Sequence, residues 1–323
     1  MPHSRTLGSA VSGLLLALFT MAAGAQSYPA KPLRLVIPYP PGGSNDIIGR
    51  ISAVQLGERL RTQVIVDNRG GAGGLIGTEA VAKSPADGYT LLLISVGHAF
   101  NPSMYKLPYD PATAFTPVAM LGSGPVALAV NAGLPVNSVR DLLALARQKP
   151  GQLYYASGGV GSFSHLASAL FRLQSGIDIV HVPFKGGAPA LVDVIAGNTH
   201  IAIGSLVQTL PQVKTGRLKL LGVGGVKRLA SFPDTPTIAE AGVPGYEATA
   251  WWGVLAPAGT PRAVIERLHK EFSAILNSPE MKKRFEAEGA EALQMTPDEF
   301  ALFMDTETAK WAKVVKDAGI RAE

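Results

Sequence analysis

The 323-residue chain contains no cysteine. That absence excludes disulfides, thiolate nucleophiles, cysteine-ligated metals and lipid attachment through cysteine. Stability must come from packing, and a hydrophobic content of 47% supplies the material for it. Beyond residue 25 no apolar run is long enough to span a bilayer, because proline, glycine or charge interrupts each one. The five histidines beyond that point, His98, His165, His181, His200 and His269, form neither an H-E-x-x-H motif nor an i, i+4 pair, so a zinc site has no support. A G-x-S-x-G nucleophile elbow is missing too. Charged residues are few, at 16%, and the net charge of +5 is scattered rather than clustered. Such a surface favours small anions modestly and offers no stripe for nucleic acid.

One apolar run does stand out, from Ala10 to Ala23, preceded by Arg5 and closed by Ala23-Gly24-Ala25. It is shorter than the roughly 20 residues of a membrane span and ends in an A-x-A pattern. It predicts a signal peptide over residues 1–25 and an exported, soluble mature chain starting near Gln26.

From residue 33 short apolar runs alternate with helical patterns. LRLVI, a helix over about 45–60, QVIVDN, a glycine-rich turn with a helix near 75–83, and TLLLIS imply βαβ units and a largely parallel sheet. A second series follows Pro125. VALAV comes first, then a helix opened by Ser138-Val-Arg-Asp141 like a capping box and stopped by Pro150-Gly151. LYYAS, a helix near 162–174, DIVHV, a helix near 188–196, HIAIGS and KLLGVG complete it. The remainder is mostly helical, with Thr260-Pro261 and Thr296-Pro-Asp-Glu299 each opening a helix. Two α/β lobes followed by helices predict a bilobal molecule with its ligand cleft outside the carboxyl ends of the strands.

Three loops carry the functional argument. YPPGGSNDIIGR, Tyr39 to Arg50, joins a strand to a helix through Pro-Gly punctuation, with Ser44 or Asn45 placed to cap the helix. A helix start of this kind presents free backbone N–H groups and the positive end of the helix dipole to an anion. SGGVGS, Ser157 to Ser162, repeats the arrangement, and FKGG, Phe184 to Gly187, precedes a third helix. Asp46 runs against the simplest anion site, because a carboxylate in the first turn competes for the same field; stabilising the helix start and meeting a ligand ammonium or hydroxyl are its two readings. Lys185 can pair with a carboxylate or stay solvated. Trp251-Trp252 reads as cleft wall or as packing.

Two rival readings arise. NRGGAGGLIG, Asn68 to Gly77, follows a strand, but the strict G-x-G-x-x-G fails at Ile76 and no acid-terminated second strand follows, which argues against a dinucleotide cofactor. An exported α/β enzyme acting on a small organic acid is the other, with His165 or His181 as general base.

The runs VIPYPPGGSND, VIVDNRGGAGGLIGTEAVAKSPADGYTLL, NPSMYKLPYD, YASGGVGSFSHLA, HVPFKGGAPALVDVIAG, FPDTPTIAEAGVPGYEATAWWGVLAPAGTP and the final AGI cover most of the chain in order. Together they resemble the Bug-type extracytoplasmic solute receptors of tripartite tricarboxylate transporters. The resemblance implies a type II-like, clam-shell α/β periplasmic binding protein. Its lobes would be joined by two crossover strands, with residues 26–128 and 250–323 in the first lobe, 129–249 in the second, and the C-terminal helices on the first. It implies a monomeric receptor, without catalysis, cofactor or metal, that closes on a small organic acid and delivers it to membrane components of such a transporter. Nucleic acid has no part in this. Carried onto this chain, Gly42, Gly43 and Ser44 belong to the first lobe's grip and Ser157, Gly161 and Ser162 to the second's. Lys185 and Gly186 match an aromatic-Lys-Gly loop in which Phe184 replaces the commoner tyrosine. Asp46 and Asn68 flank the first grip, and Ser95 and Ser205 end strands that face the cleft.

Overall fold

The computed structural model describes residues 28–320. The signal peptide expected over 1–25 lies outside them.

The first apolar run forms β1 (Leu33–Ile37), which pairs in parallel with β2 (Val64–Asn68) and β3 (Thr90–Ser95). The helix α1 (Ser44–Leu60) crosses from β1 to β2, and α2 (Leu75–Ala82) from β2 to β3. All six residues of β3 are buried, as expected of a central strand covered on both faces. A short helix, α3 (Val96–Met104), starts directly at its end.

VALAV proves to be the end of a much longer strand, β4 (Phe115–Asn131). Between Phe115 and Pro125 it pairs with β9 (Thr249–Pro257), and from Val126 it pairs with β7 (Ile201–Ser205) and β8 (Leu218–Val223). One strand therefore serves two sheets, and β9, antiparallel to both β3 and β4, runs back beside it. The second sheet is completed by β5 (Tyr154–Ser157) and β6 (Val180–Pro183), parallel to β7. The ladder reads β2-β1-β3-β9-β4-β7-β5-β6. Its helices are α4 (Val139–Gln148), α5 (Phe163–Ser175), α6 (Gly187–Ala196) and α7 (Leu206–Lys214), the last filling the gap between HIAIGS and KLLGVG.

The C-terminal part holds α8 (Arg262–Asn277), α9 (Pro279–Ala287), a two-residue strand β10 (Glu291–Ala292) against β4, and α10 (Pro297–Asp317). Thr296 and Glu299 form the full capping box at the start of α10. Thr260 does not cap α8; its hydroxyl donates to the Pro257 carbonyl at 2.7 Å and closes the preceding turn instead. The Phe300 ring of α10 lies against Gly253 of β9, where a Cβ would come within 2.1 Å of it. Glu307 fixes the same helix from the other direction, accepting from the indole N–H groups of Trp251 (2.9 Å) and Trp311 (3.0 Å). The apolar core is continuous across the strand exchange, running from Val36 and Leu92 through Met120 to Leu128, Leu142 and Tyr155.

Candidate functional site

The carboxyl ends of β1 and β5 lead through tight turns into helices, and those of β3 and β7 run directly into theirs. Those strand ends surround one cavity of about 740 Å³. The N-cap residues of six helices line it: Gly43 of α1, Gly74 of α2, Ser95 of α3, Ser162 of α5, Gly186 of α6 and Ser205 of α7. Five of these caps use no side chain to satisfy the first turn, the exception being Ser162, whose hydroxyl accepts from His165 N at 3.2 Å. Orphan backbone donors and the positive ends of several helix dipoles thus converge on one space. Among the described residues, Lys185 is the only ionisable acid or base of the Lys, Arg, Asp, Glu type on the wall. The remaining surface is small or apolar, including Phe100, Val160, Leu191 and Trp252. Such a site attracts an anion without carrying a fixed counter-ion of full strength at each end.

The two sides of the cavity touch. Gly42 lies 3.6 Å from Ala188 when given a Cβ, Gly186 lies 3.4 Å from Pro40, and Gly161 comes within 3 Å of Met104 and Tyr105 by the same measure. The elements on the β1–β3 side and the β5–β7 side therefore stand close together beside the cavity.

Of the residues expected at the site, Gly43, Ser44, Ser95, Gly161, Ser162, Lys185, Gly186 and Ser205 line the cavity. Gly42, Asp46, Asn68 and Ser157 do not, and each has a partner that explains why. The cap of α1 is Gly43, neither Ser44 nor Asn45. Asp46 turns away from the cavity; its carboxylate accepts from Gly42 N (3.0 Å), Arg50 Nε (2.9 Å) and Asn68 Nδ2 (3.0 Å). Burial pushes the Asp46 carboxyl up, but the hydrogen bonds from Arg50, Gly42 and Asn68 and the charge of Arg50 outweigh it and hold the group below its ordinary value. A negative charge in the first turn is thereby neutralised from behind, and the competition with a bound anion disappears. Asn68 completes the cluster by donating to Tyr39 O and accepting from Arg50.

Ser157 is fully buried beneath the second loop. Its hydroxyl meets His181 Nε2 and both the N–H and the carbonyl of Gly159. His165 and His181 stack face to face at 4.1 Å with 6° between their planes. Neither lines the cavity, so neither meets the reach a general base needs. Burial, then His181 and Arg172, lower His165 to about 4; burial and then Arg172 lower His181.

Several lining residues escaped sequence reasoning. Tyr39 sits with its phenol over Gly97, where a Cβ would come within 2.0 Å of Oη, and burial raises that phenol to about 12 against a hydrogen bond with Ser95. Trp252, fully buried on the strand directly opposite Ser95, Tyr105 at the end of α3, and Gln208 on α7 complete the wall. The sequence offers Trp252 as cleft wall or as packing and leaves Tyr39 and Tyr105 inside longer runs without a role. Among the described residues no group of three or more His, Asp or Glu side chains stands ready for a metal, and no helix is long and apolar enough to cross a membrane.

Known proteins share this arrangement. Protein BugT of Bordetella pertussis is 38% identical over 320 residues, covering 97% of each chain. An R. palustris protein solved with adipate superposes with a TM-score of 0.89 at 38% identity, over 91% of this chain and 100% of its own. MatC from Rhodopseudomonas palustris, with bound malate, gives 0.83 at 29% identity, over 89% and 100%. Residues 48–320 match the family described as tripartite tricarboxylate transporter family receptor. With its two-lobed α/β fold, its cleft at the strand ends and this match over most of its length, the chain belongs to the receptors of the tripartite tricarboxylate transporter family.

Proposed function

We propose that the chain is a periplasmic receptor that closes on a small organic acid and presents it to the membrane components of a tripartite tricarboxylate transporter. The observation that carries this reading is the convergence of six helix N-caps on a cavity lined, among the described residues, by a single Lys, Arg, Asp or Glu side chain. A carboxylate is held there by backbone N–H groups and hydroxyls of the Gly43–Ser44 and Gly161–Ser162 loops, with Lys185, Gly186, Ser95 and Ser205 around it. Charge-assisted hydrogen bonds of this type are about twice as strong as neutral ones. A volume of about 740 Å³ suits a metabolite-sized acid. Relatives with adipate and malate in their structures support the ligand class.

The lobes divide as 26–128 with 250–323, and 129–249, a division supported by the exchange of partners along β4 at Pro125 and Val126. The protein acts as a monomer without metal or cofactor and performs no chemistry. The placement of His165 and His181 behind the wall supports a receptor over an exported α/β enzyme acting on a small organic acid.

Native mass spectrometry of the purified protein, followed by denaturation and identification of any released molecule, tests the reading. One carboxylic acid per chain is the expected result. Protein that arrives empty and shows neither thermal stabilisation nor saturable binding with adipate, malate and a wider panel of organic acids would overturn it.

A further inference from the structure

Behind the cavity, two imidazoles hold the two ends of one loop. Gly161 N donates to His165 Nδ1 at 3.2 Å, and Ser157 Oγ meets His181 Nε2. The loop between them, Gly158 to Ser162, forms much of one cavity wall. Gly158 N also donates to Ser164 Oγ at 2.9 Å and Gly159 N to Ser157 Oγ at 3.1 Å, and one bond reaches further, from Gly186 N to Gly158 O at 3.1 Å. The rings belong to different elements, His165 to α5 and His181 to β6, and their stacking couples them. Tyr155 of β5 stacks on the other face of His181 at 4.9 Å and 15°.

An imidazole that accepts from Gly161 at Nδ1 must carry its proton at Nε2 and be neutral. Every charged group facing the pair enforces that state. Arg172 lies on the same helix as His165, and its opposing charge, Asp178, stands 4.0 Å from it at the surface. His165 occupies the first turn of α5, where the helix dipole disfavours a cation. Among the described residues no carboxylate pairs with either ring.

We propose that His165 and His181 act as a stacked, uncharged clamp that positions the Gly158–Ser162 loop for ligand, so that protonation of the pair releases loop and ligand together. The inference rests on the receptor reading for its ligand but not for its loop. Protonating His165 puts a hydrogen on Nδ1, and the Gly161 N–H then faces a donor instead of an acceptor. The loop end swings out, and the wall loses its shape. The direction follows: binding is complete at neutral pH and weakens as pH falls toward the depressed range of the pair.

The test uses ligand-free protein first. In the ¹H–¹⁵N spectrum, the Gly161 amide should follow the titration of the His165 ring in wild type. In His165→Asn, whose Oδ1 replaces the Nδ1 acceptor without titrating, it should stand still. A Gly161 amide that ignores the His165 titration overturns the clamp whatever the ligand. Adipate affinity is then measured against pH in both proteins, and their ratio cancels the titration of adipate itself. His165→Asn should bind within about threefold of wild type at neutral pH and become relatively tighter in acid, while His165→Leu should bind about tenfold more weakly at neutral pH, the equivalent of one lost hydrogen bond. Equal acid loss in wild type and His165→Asn, or wild-type affinity in a folded His165→Leu, refutes the proposal. Spectra that behave as expected while no acid binds would instead retire the receptor reading and leave the clamp standing.

Discussion

Replacing Gly161 by alanine should weaken closure and folding by separable amounts of similar size. Gly161 sits at φ 72°, and a Cβ there would lie 2.8 Å from Met104 Cε and 2.9 Å from Tyr105 Oη. Two costs follow, and they act on different equilibria. The left-handed backbone costs an L-residue roughly 1–2 kcal/mol. Because the loop's hydrogen bonds to His165, Ser157 and Ser164 all come from its own side, that strain is present with or without ligand and lowers Tm alone. The crowding exists only where the end of α3 approaches the loop. Overpacking of this kind runs to about 1–3 kcal/mol. The Met104 tip can swing aside, which leaves the less mobile Tyr105 oxygen and puts the cost near the lower end, about 1–1.5 kcal/mol, or roughly five- to tenfold in affinity. Isothermal titration with adipate reads this loss, and a thermal melt of ligand-free protein reads the strain. Adding Tyr105→Phe removes the crowded oxygen and should restore most of the affinity, a coupling that a double-mutant cycle isolates. Unchanged affinity in Gly161→Ala, or a loss that Tyr105→Phe leaves untouched, would refute the closed contact as the cause.

Other perturbations separate the remaining parts of the argument. Gly43 has an extended backbone (φ −84°, ψ 170°), and a Cβ would find nothing nearer than Pro40 O at 4.0 Å; Gly43→Val should cost the helix about 1 kcal/mol and weaken adipate at least about tenfold, while wild-type affinity would show that this loop does not touch ligand. The folded Asp46 carboxyl lies below its ordinary value, so its stabilisation is full above about pH 4 and drains away as pH falls through the lowered range. Asp46→Asn should therefore be less stable at neutral pH and lose less on acidification in urea titrations; an acid loss equal to wild type would contradict this. Glu307→Leu strands two buried indole N–H groups at about 1–3 kcal/mol each, so urea unfolding should report a loss of about 2–6 kcal/mol, and less than about 1 kcal/mol would rule out the bridge as a main tie of α10.

The alternation of apolar runs was enough to place most strands and the helices between them, because β1, β3 and β7 are short, apolar and bounded by turn residues. It failed at β4, where Gly122, Gly124 and Pro125 look like a break but lie inside one long strand at its change of partners. Short helices α3 and α7 were also missed, since each starts on the residue after a strand and contains a proline. At the site, local chemistry marks the three glycine-rich loops and the serine at the start of α5, but it offers Ser44 or Asn45 as the cap of α1 where the structure has Gly43, and Gly43 and Gly186 are singled out by the resemblance. Asp46 and Ser157 carry the same local signature, yet Asp46 turns to Arg50, an i,i+4 pair that helix spacing does offer, and to Asn68, while Ser157 meets His181, and no spacing rule supplies those last two partners.

What the sequence determined by itself is whatever depends on neighbours along the chain: strand and helix periods, caps, and the glycines that bare a helix start. The tertiary structure alone decided which of those helix starts share a space, because the continuous ladder brings residues as distant as Gly43, Ser205 and Trp252 to one cavity. It also decided which polar groups are consumed by one another. Hydrogen bonding saturates, so the Asp46 carboxylate held by Gly42, Arg50 and Asn68 is spoken for; the Arg50 share follows from i,i+4 spacing, and folding adds Asn68 from the neighbouring strand.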